Sequence, residues 1–168
     1  QTHRPACLVF SRQALPTLDR STYASAKGVA KGAYVLADAE GGEPELILMG
    51  TGAEVGLCVQ AYETLKAEGV KARVVSMPSW DLFEAQDEAY RASVLPPQVS
   101  ARVAVEEAAA LGWDRYAGPT GEIIAMRSFG MSAPAKALQS QFGFTTDKVL
   151  EAARRQLARG RAHHQEKP

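Results

Sequence analysis

The chain has 168 residues, and its nineteen Lys and Arg balance nineteen Asp and Glu. That length suits one domain with a substantial core and room for an appendage. The charges are scattered, with no basic stripe, no interleaved aromatics and no apolar run near the roughly 20 residues of a membrane span, so neither a nucleic-acid nor a membrane partner is indicated.

The first predicted element is a short strand, Ala6 to Phe10, which stops at Ser11-Arg12-Gln13 with Pro16 close behind. A polar, irregular linker follows through Asp19, Arg20 and Ser21. Two apolar runs, Ala33 to Ala37 and Leu46 to Met49, are separated by Gly41, Gly42 and Pro44 and predict a hairpin. Thr51-Gly52-Ala53-Glu54 has the spacing of a capping box, with a hydroxyl at the N-cap and a Glu three residues on. Val55, Val59, Tyr62 and Leu65 then recur at helical spacing, and Gly69 stands at the C-cap.

A strand is predicted from Ala72 to Met77, halted by Pro78. The next crossover is long, with Trp80, Leu82 and Phe83 packing inward and a helix from Asp87 to Val94. Arg102 to Val105 reads as strand, the Gly112-Trp113 region as a short helix, and Ile123 to Met126 as the last strand. Helices around Ala135 to Phe142 and Thr146 to Leu157 follow, with Gly143 between them and Thr145 as N-cap. Residues 161–168 form a polar tail, expected to be disordered. Short β-branched runs alternating with amphipathic helices predict an α/β fold, a three-layer α/β/α sandwich. Its five-stranded mixed sheet has four parallel strands and one antiparallel strand supplied by the hairpin. Cys7 and Cys58 are expected as buried free thiols in a reducing compartment.

Few residues carry chemistry. Arg12, at the end of the first predicted strand, lies where α/β proteins place ligand-touching residues, and a guanidinium matches phosphate oxygens bidentately. The alternative for Arg12 is a surface or inter-domain salt bridge. Gly50-Thr51-Gly52 aims helix-start amides at a crevice, a generic anion site or simply a tight turn, and it lacks the third glycine of a dinucleotide fingerprint. Glu106 and Glu107 end a buried strand, but neighbouring strand residues face opposite sides, so they form no acid–base dyad. His163 and His164 have no ligand-spaced partners and read as solvated. Trp113 and the run Ser128 to Pro134 read as packing and a helix entry, with Pro134 in the first turn.

Taken in order, several motifs resemble the transketolase family. They are Ser11-Arg12-Gln13-Ala14-Leu15-Pro16, Lys31-Gly32-Ala33-Tyr34-Val35-Leu36, Gly50-Thr51-Gly52-Ala53-Glu54-Val55, Arg73-Val74-Val75-Ser76-Met77-Pro78-Ser79, Val105-Glu106, Gly112-Trp113, Phe129-Gly130-Met131-Ser132-Ala133-Pro134 and Phe142-Gly143-Phe144-Thr145. Ser11-Arg12-Gln13 is the discriminating piece. The resemblance implies transfer of a two-carbon ketol unit between sugar phosphates, in the pentose phosphate pathway, by a cytoplasmic homodimer using thiamine diphosphate and Mg2+ or Ca2+. It also implies that this chain is the third, C-terminal domain, at residues 28–160, with residues 1–27 as the last strand and linker of the domain before. On that view the start at Gln1 marks a fragment whose partners are the remaining domains of the same polypeptide. The family's Gly-Asp-Gly metal motif and pyrimidine-activating acid are absent, so no catalytic, cofactor-binding or metal residue is placed here, and none of these groups is expected on the fragment, which is inactive alone. The family's phosphate-contacting arginine falls on Arg12. Thr51-Gly52-Ala53 departs mildly from the family pattern, which weakens any nucleotide role for that loop. Two other readings stand beside this one: a freestanding regulatory module with an anion at Thr51 to Glu54, and a purely architectural dimerisation domain.

Overall fold

The computed structural model describes residues 5–165, and side chains as far as residue 160. Eleven elements follow a short 3-10 turn at Ala26–Lys31: β1 (Tyr34–Ala37), β2 (Leu46–Gly50), α1 (Glu54–Ala67), β3 (Ala72–Ser76), α2 (Trp80–Glu84), α3 (Glu88–Val94), β4 (Arg102–Ala109), α4 (Asp114–Ala117), β5 (Glu122–Met126), α5 (Ala135–Phe142) and α6 (Thr146–Gln165). The strands form one sheet in the order β1-β3-β2-β4-β5, parallel except for the β1–β3 pair. This is the five-stranded mixed sheet that the alternating pattern implies.

Alternation along the strands sends side chains to two separate cores. Leu46 and Leu48 of β2 join Val74, Val103 and Val105 against Cys58, Val59 and Leu65 of α1 and Val149, Ala153 and Leu157 of α6. Ile47 and Met49 point the other way, toward Phe83, Val94, Trp113 and Tyr116. That second core is aromatic, with Trp80 and Trp113 edge to face at a centroid distance of 5.3 Å. A sheet covered on both faces needs strands that are apolar on both sides, and β2 and β3 are buried at every position.

Four sequence-derived expectations are corrected. The apolar runs at β1 and β2 are not a hairpin, because β3 lies between them. Strand β1 pairs antiparallel with β3, and Arg73 Nε and Nη2 donate to Asp38 Oδ1 and Oδ2 at 2.7 and 2.9 Å, tying the end of β1 to the start of β3. The expected strand at 6–10 has no regular structure and its side chains are exposed, since it has no ladder partner within this domain. Cys7 on that segment is therefore exposed, whereas Cys58 is buried as expected. Helix α6 continues to Gln165, past the predicted end at Leu157 and through much of the expected tail, and residues 166–168 lie outside the described residues.

One glycine explains a close approach near the start of the domain. Gly32 has φ 84°, and a Cβ there would stand 2.2 Å from Phe83 N and 2.3 Å from Ser79 O. Only hydrogen fits at that position, and the Gly32 carbonyl accepts the Ser79 N–H at 2.9 Å. The contact joins the end of the 3-10 turn to α2, whose first turn is capped by the Ser79 hydroxyl.

Candidate functional site

The loops after β2, β4 and β5 lie at the carboxyl ends of the parallel strands, the usual position of binding crevices in such folds. A groove of about 680 Å³ opens there. Its walls are Arg12 to Pro16, the first turns of α1, the loop at Gly130 and Met131, and the inner face of α5 through Leu138, Gln139 and Phe142. Arg12 therefore sits at the sheet edge that the sequence indicates, although no strand holds it. It is exposed on a bend, and among the described residues it forms no ion pair with a carboxylate. Its donors are open to an anion.

The predicted capping box is not made. Helix α1 starts at Glu54 with Ala53 at its N-cap and no side-chain cap. Gly52 takes φ 55°, and Thr51 contributes its backbone carbonyl to a turn closed by the Glu54 N–H at 3.2 Å. The Glu54 side chain turns instead across the sheet edge and accepts the Glu107 N–H at 2.8 Å. That amide is available because β4 breaks register with β5 between Glu106 and Ala109. A capping partner was thus exchanged for an orphan amide created by tertiary structure.

Glu106 and Glu107 have separate partners, as their positions on a strand dictate. Trp113 Nε1 donates to Glu106 Oε2 at 3.1 Å, and Gln139 Nε2 donates to Glu107 Oε1 at 3.0 Å. Burial raises the Glu54 carboxyl above its usual value, against the lowering effect of the Glu107 and Glu54 amides, and the charges of Glu107 and Glu106 raise it further. Burial also raises Glu106, opposed by the Trp113 hydrogen bond and aided by the charge of Glu107. From sequence Glu54 stands out only as a capping-box residue and a boundary of the Thr51 to Glu54 helix start, and Gln139 not at all, although Glu54 follows the carboxyl end of β2, where ligand-touching residues gather.

Gly52 forms a turn beside Ser11. Trp113 is 1% exposed and belongs to the aromatic core. Pro134 stands at the N-cap of α5 rather than within its first turn. The side chains of His163 and His164 lie outside the described residues. Among the described residues, no three His, Cys, Asp or Glu side chains converge as metal ligands, and no helix is long and apolar enough to cross a membrane. Arg12 lines the groove with Glu107, whose carboxylate is already engaged by Gln139.

Comparison with known proteins is specific. The family model for the transketolase-like TK C-terminal domain matches residues 32–145. A transketolase of Geobacillus stearothermophilus is 48% identical over 158 residues, covering 94% of this chain and 24% of its own length. Transketolase 1 of Escherichia coli K12 is 54% identical over 153 residues, covering 91% and 23%. A Pichia stipitis transketolase solved with sedoheptulose-7-phosphate superposes with a TM-score of 0.77 at 33% identity, over 90% of this chain and 21% of that one. The chain spans about a quarter of the length of the curated relatives it matches.

Proposed function

The chain belongs to the transketolase family, and from that membership we propose that it is the C-terminal domain of a longer transketolase polypeptide, a transferase of two-carbon ketol units between sugar phosphates. Residues 28–160 form the domain, residues 1–27 lead into it from the domain before, and residues 161–168 extend beyond it. Thiamine diphosphate and its Mg2+ or Ca2+ belong to the preceding domains. Among the described residues no three His, Cys, Asp or Glu side chains converge in a way that would hold the metal. The fragment alone is inactive, and the whole enzyme is a cytoplasmic homodimer to which this domain adds contacts.

Arg12 is the substrate-phosphate residue on this reading. The observation that carries it is the open guanidinium at the carboxyl-edge groove, within a motif matching the family's phosphate-contacting arginine. A relative solved with a sugar phosphate is in keeping with that ligand class. Arg12→Ala in the complete enzyme should raise KM for phosphorylated donors about tenfold to a hundredfold, the loss of a charge-assisted hydrogen bond of ~1.5–3 kcal/mol. Turnover of unphosphorylated ketoses should hardly change. Equal loss on both substrate types removes Arg12 from the role.

A further inference from the structure

We propose that a cavity at the amino end of the sheet binds a small organic anion whose ring carries an N–H donor, the class to which adenosine monophosphate belongs. The cavity, of about 620 Å³, lies where β4 and β5 begin, at the opposite end of the strands from the Arg12 groove. Small-molecule sites span about 300–1,000 Å³, so a nucleotide-sized ligand fits. Pro97, Val99 and Pro119 give it apolar walls, and α6 contributes Gln156, Arg159 and Gly160. Residues three and four apart share one face of a helix, so these three present together. This site is separate from the transketolase activity and does not depend on it.

Gln156 points to the chemistry of the ligand. It is 2% exposed, and its Nε2 donates to Thr120 O at 2.9 Å. Only the amide nitrogen can donate to a carbonyl, so that bond fixes which end of the amide is which. Among the described residues no group donates to Oε1, yet no fully buried side-chain oxygen is left without a partner. Oε1 therefore opens on the cavity that Gln156 lines, an acceptor that a ligand N–H would satisfy. The charge of the cavity is one-sided, because Arg102 and Arg159 line it and no Asp or Glu does. Arg102 spends its donors on the carbonyls of Leu95, Pro96, Val99 and Tyr116 and so braces the wall. Arg159 is exposed and forms no ion pair among the described residues, which leaves its guanidinium for a phosphate or carboxylate. An apolar slot with a buried amide and an exposed guanidinium matches a ring bearing an amino group and an anionic tail. Adenine presents such an amino group, and a Gln amide is its usual protein partner.

Calorimetric titration of adenosine monophosphate into the 168-residue chain provides the test. Saturable binding at one site is expected, with Kd of about 1 mM or tighter. Arg159→Ala changes an exposed side chain and should weaken binding about tenfold, the loss of a charge-assisted contact. Gly160→Leu should abolish binding without unfolding the chain, since a Cβ at Gly160 meets nothing within 4 Å and the added side chain fills the cavity. Adenosine and inorganic phosphate, each lacking one half of the recognised pair, should bind about tenfold or more weakly than the nucleotide. No saturation by about 10 mM nucleotide overturns the assignment. Unchanged affinity in Arg159→Ala or in Gly160→Leu places the nucleotide elsewhere and overturns it too. Inorganic phosphate binding as tightly as the nucleotide removes the ring, and with it the role of Gln156.

Discussion

The two ends of the parallel sheet are finished differently. At the amino end, polar side chains are consumed by the domain's own backbone. Arg102 donates from Nε to Val99 O at 2.8 Å, from Nη1 to Tyr116 O at 2.7 Å, and from Nη2 to Pro96 O at 2.8 Å and Leu95 O at 3.4 Å. Gln156, 2% exposed, donates to Thr120 O at 2.9 Å, and Arg73 adds bonds to the carbonyls of Ser93 and Val94. At the carboxyl end, Glu54 sits buried without a cation within ion-pair distance among the described residues, Arg12 is open, and Phe129 stands almost wholly in solvent. One end is closed by satisfied hydrogen bonds that hold the domain together. The other carries a buried carboxylate that only an amide offsets, an open guanidinium and an exposed aromatic ring.

Three experiments on the 168-residue chain can sharpen or break that contrast. Replacing Arg102 with Met should cost about 3 kcal/mol or more in urea denaturation, because each partly buried carbonyl left unpaired costs about 1–3 kcal/mol. A loss under about 1 kcal/mol would show that water replaces the guanidinium and that the amino end is not closed as described.

Glu54→Gln should act in the opposite direction. Burial raises the folded-state carboxyl above 4.5, so the folded chain binds more protons than the unfolded chain as pH climbs through that window. Stability therefore falls as pH rises from the unfolded value through the folded one. The Gln side chain keeps an acceptor for the Glu107 N–H and cannot ionise. The difference between wild-type and variant stability should change with pH from the ordinary carboxylate range upward, with the variant gaining as pH rises. A difference that is flat with pH counts against a strained carboxylate at this edge.

The smallest effect belongs to Phe129→Ser. At 97% exposure the ring contributes little to this chain alone, and the stability change should stay within about 0.5 kcal/mol. A larger loss by thermal or urea unfolding means that the ring packs on the domain and is not held out for a partner.

Much of the architecture was readable from local pattern. The β2–α1–β3 unit, the helix that ends at Val94 and the Gly143 break between α5 and α6 follow from periodicity and from glycine's place at a helix C-cap, which act over a few residues. Ser11-Arg12-Gln13 drew attention to Arg12, which lines the groove at the carboxyl edge. Tertiary structure decided the remainder, because each remaining choice depended on a partner distant in sequence. The place of β1 depended on β3 and on the Arg73–Asp38 pair, 35 residues apart. The rotation of Glu54 away from its cap depended on an amide 53 residues on, freed by a bulge in β4. Ala6 to Phe10 has the composition of a strand, yet strands exist only as pairs, and within this domain the segment has no pair.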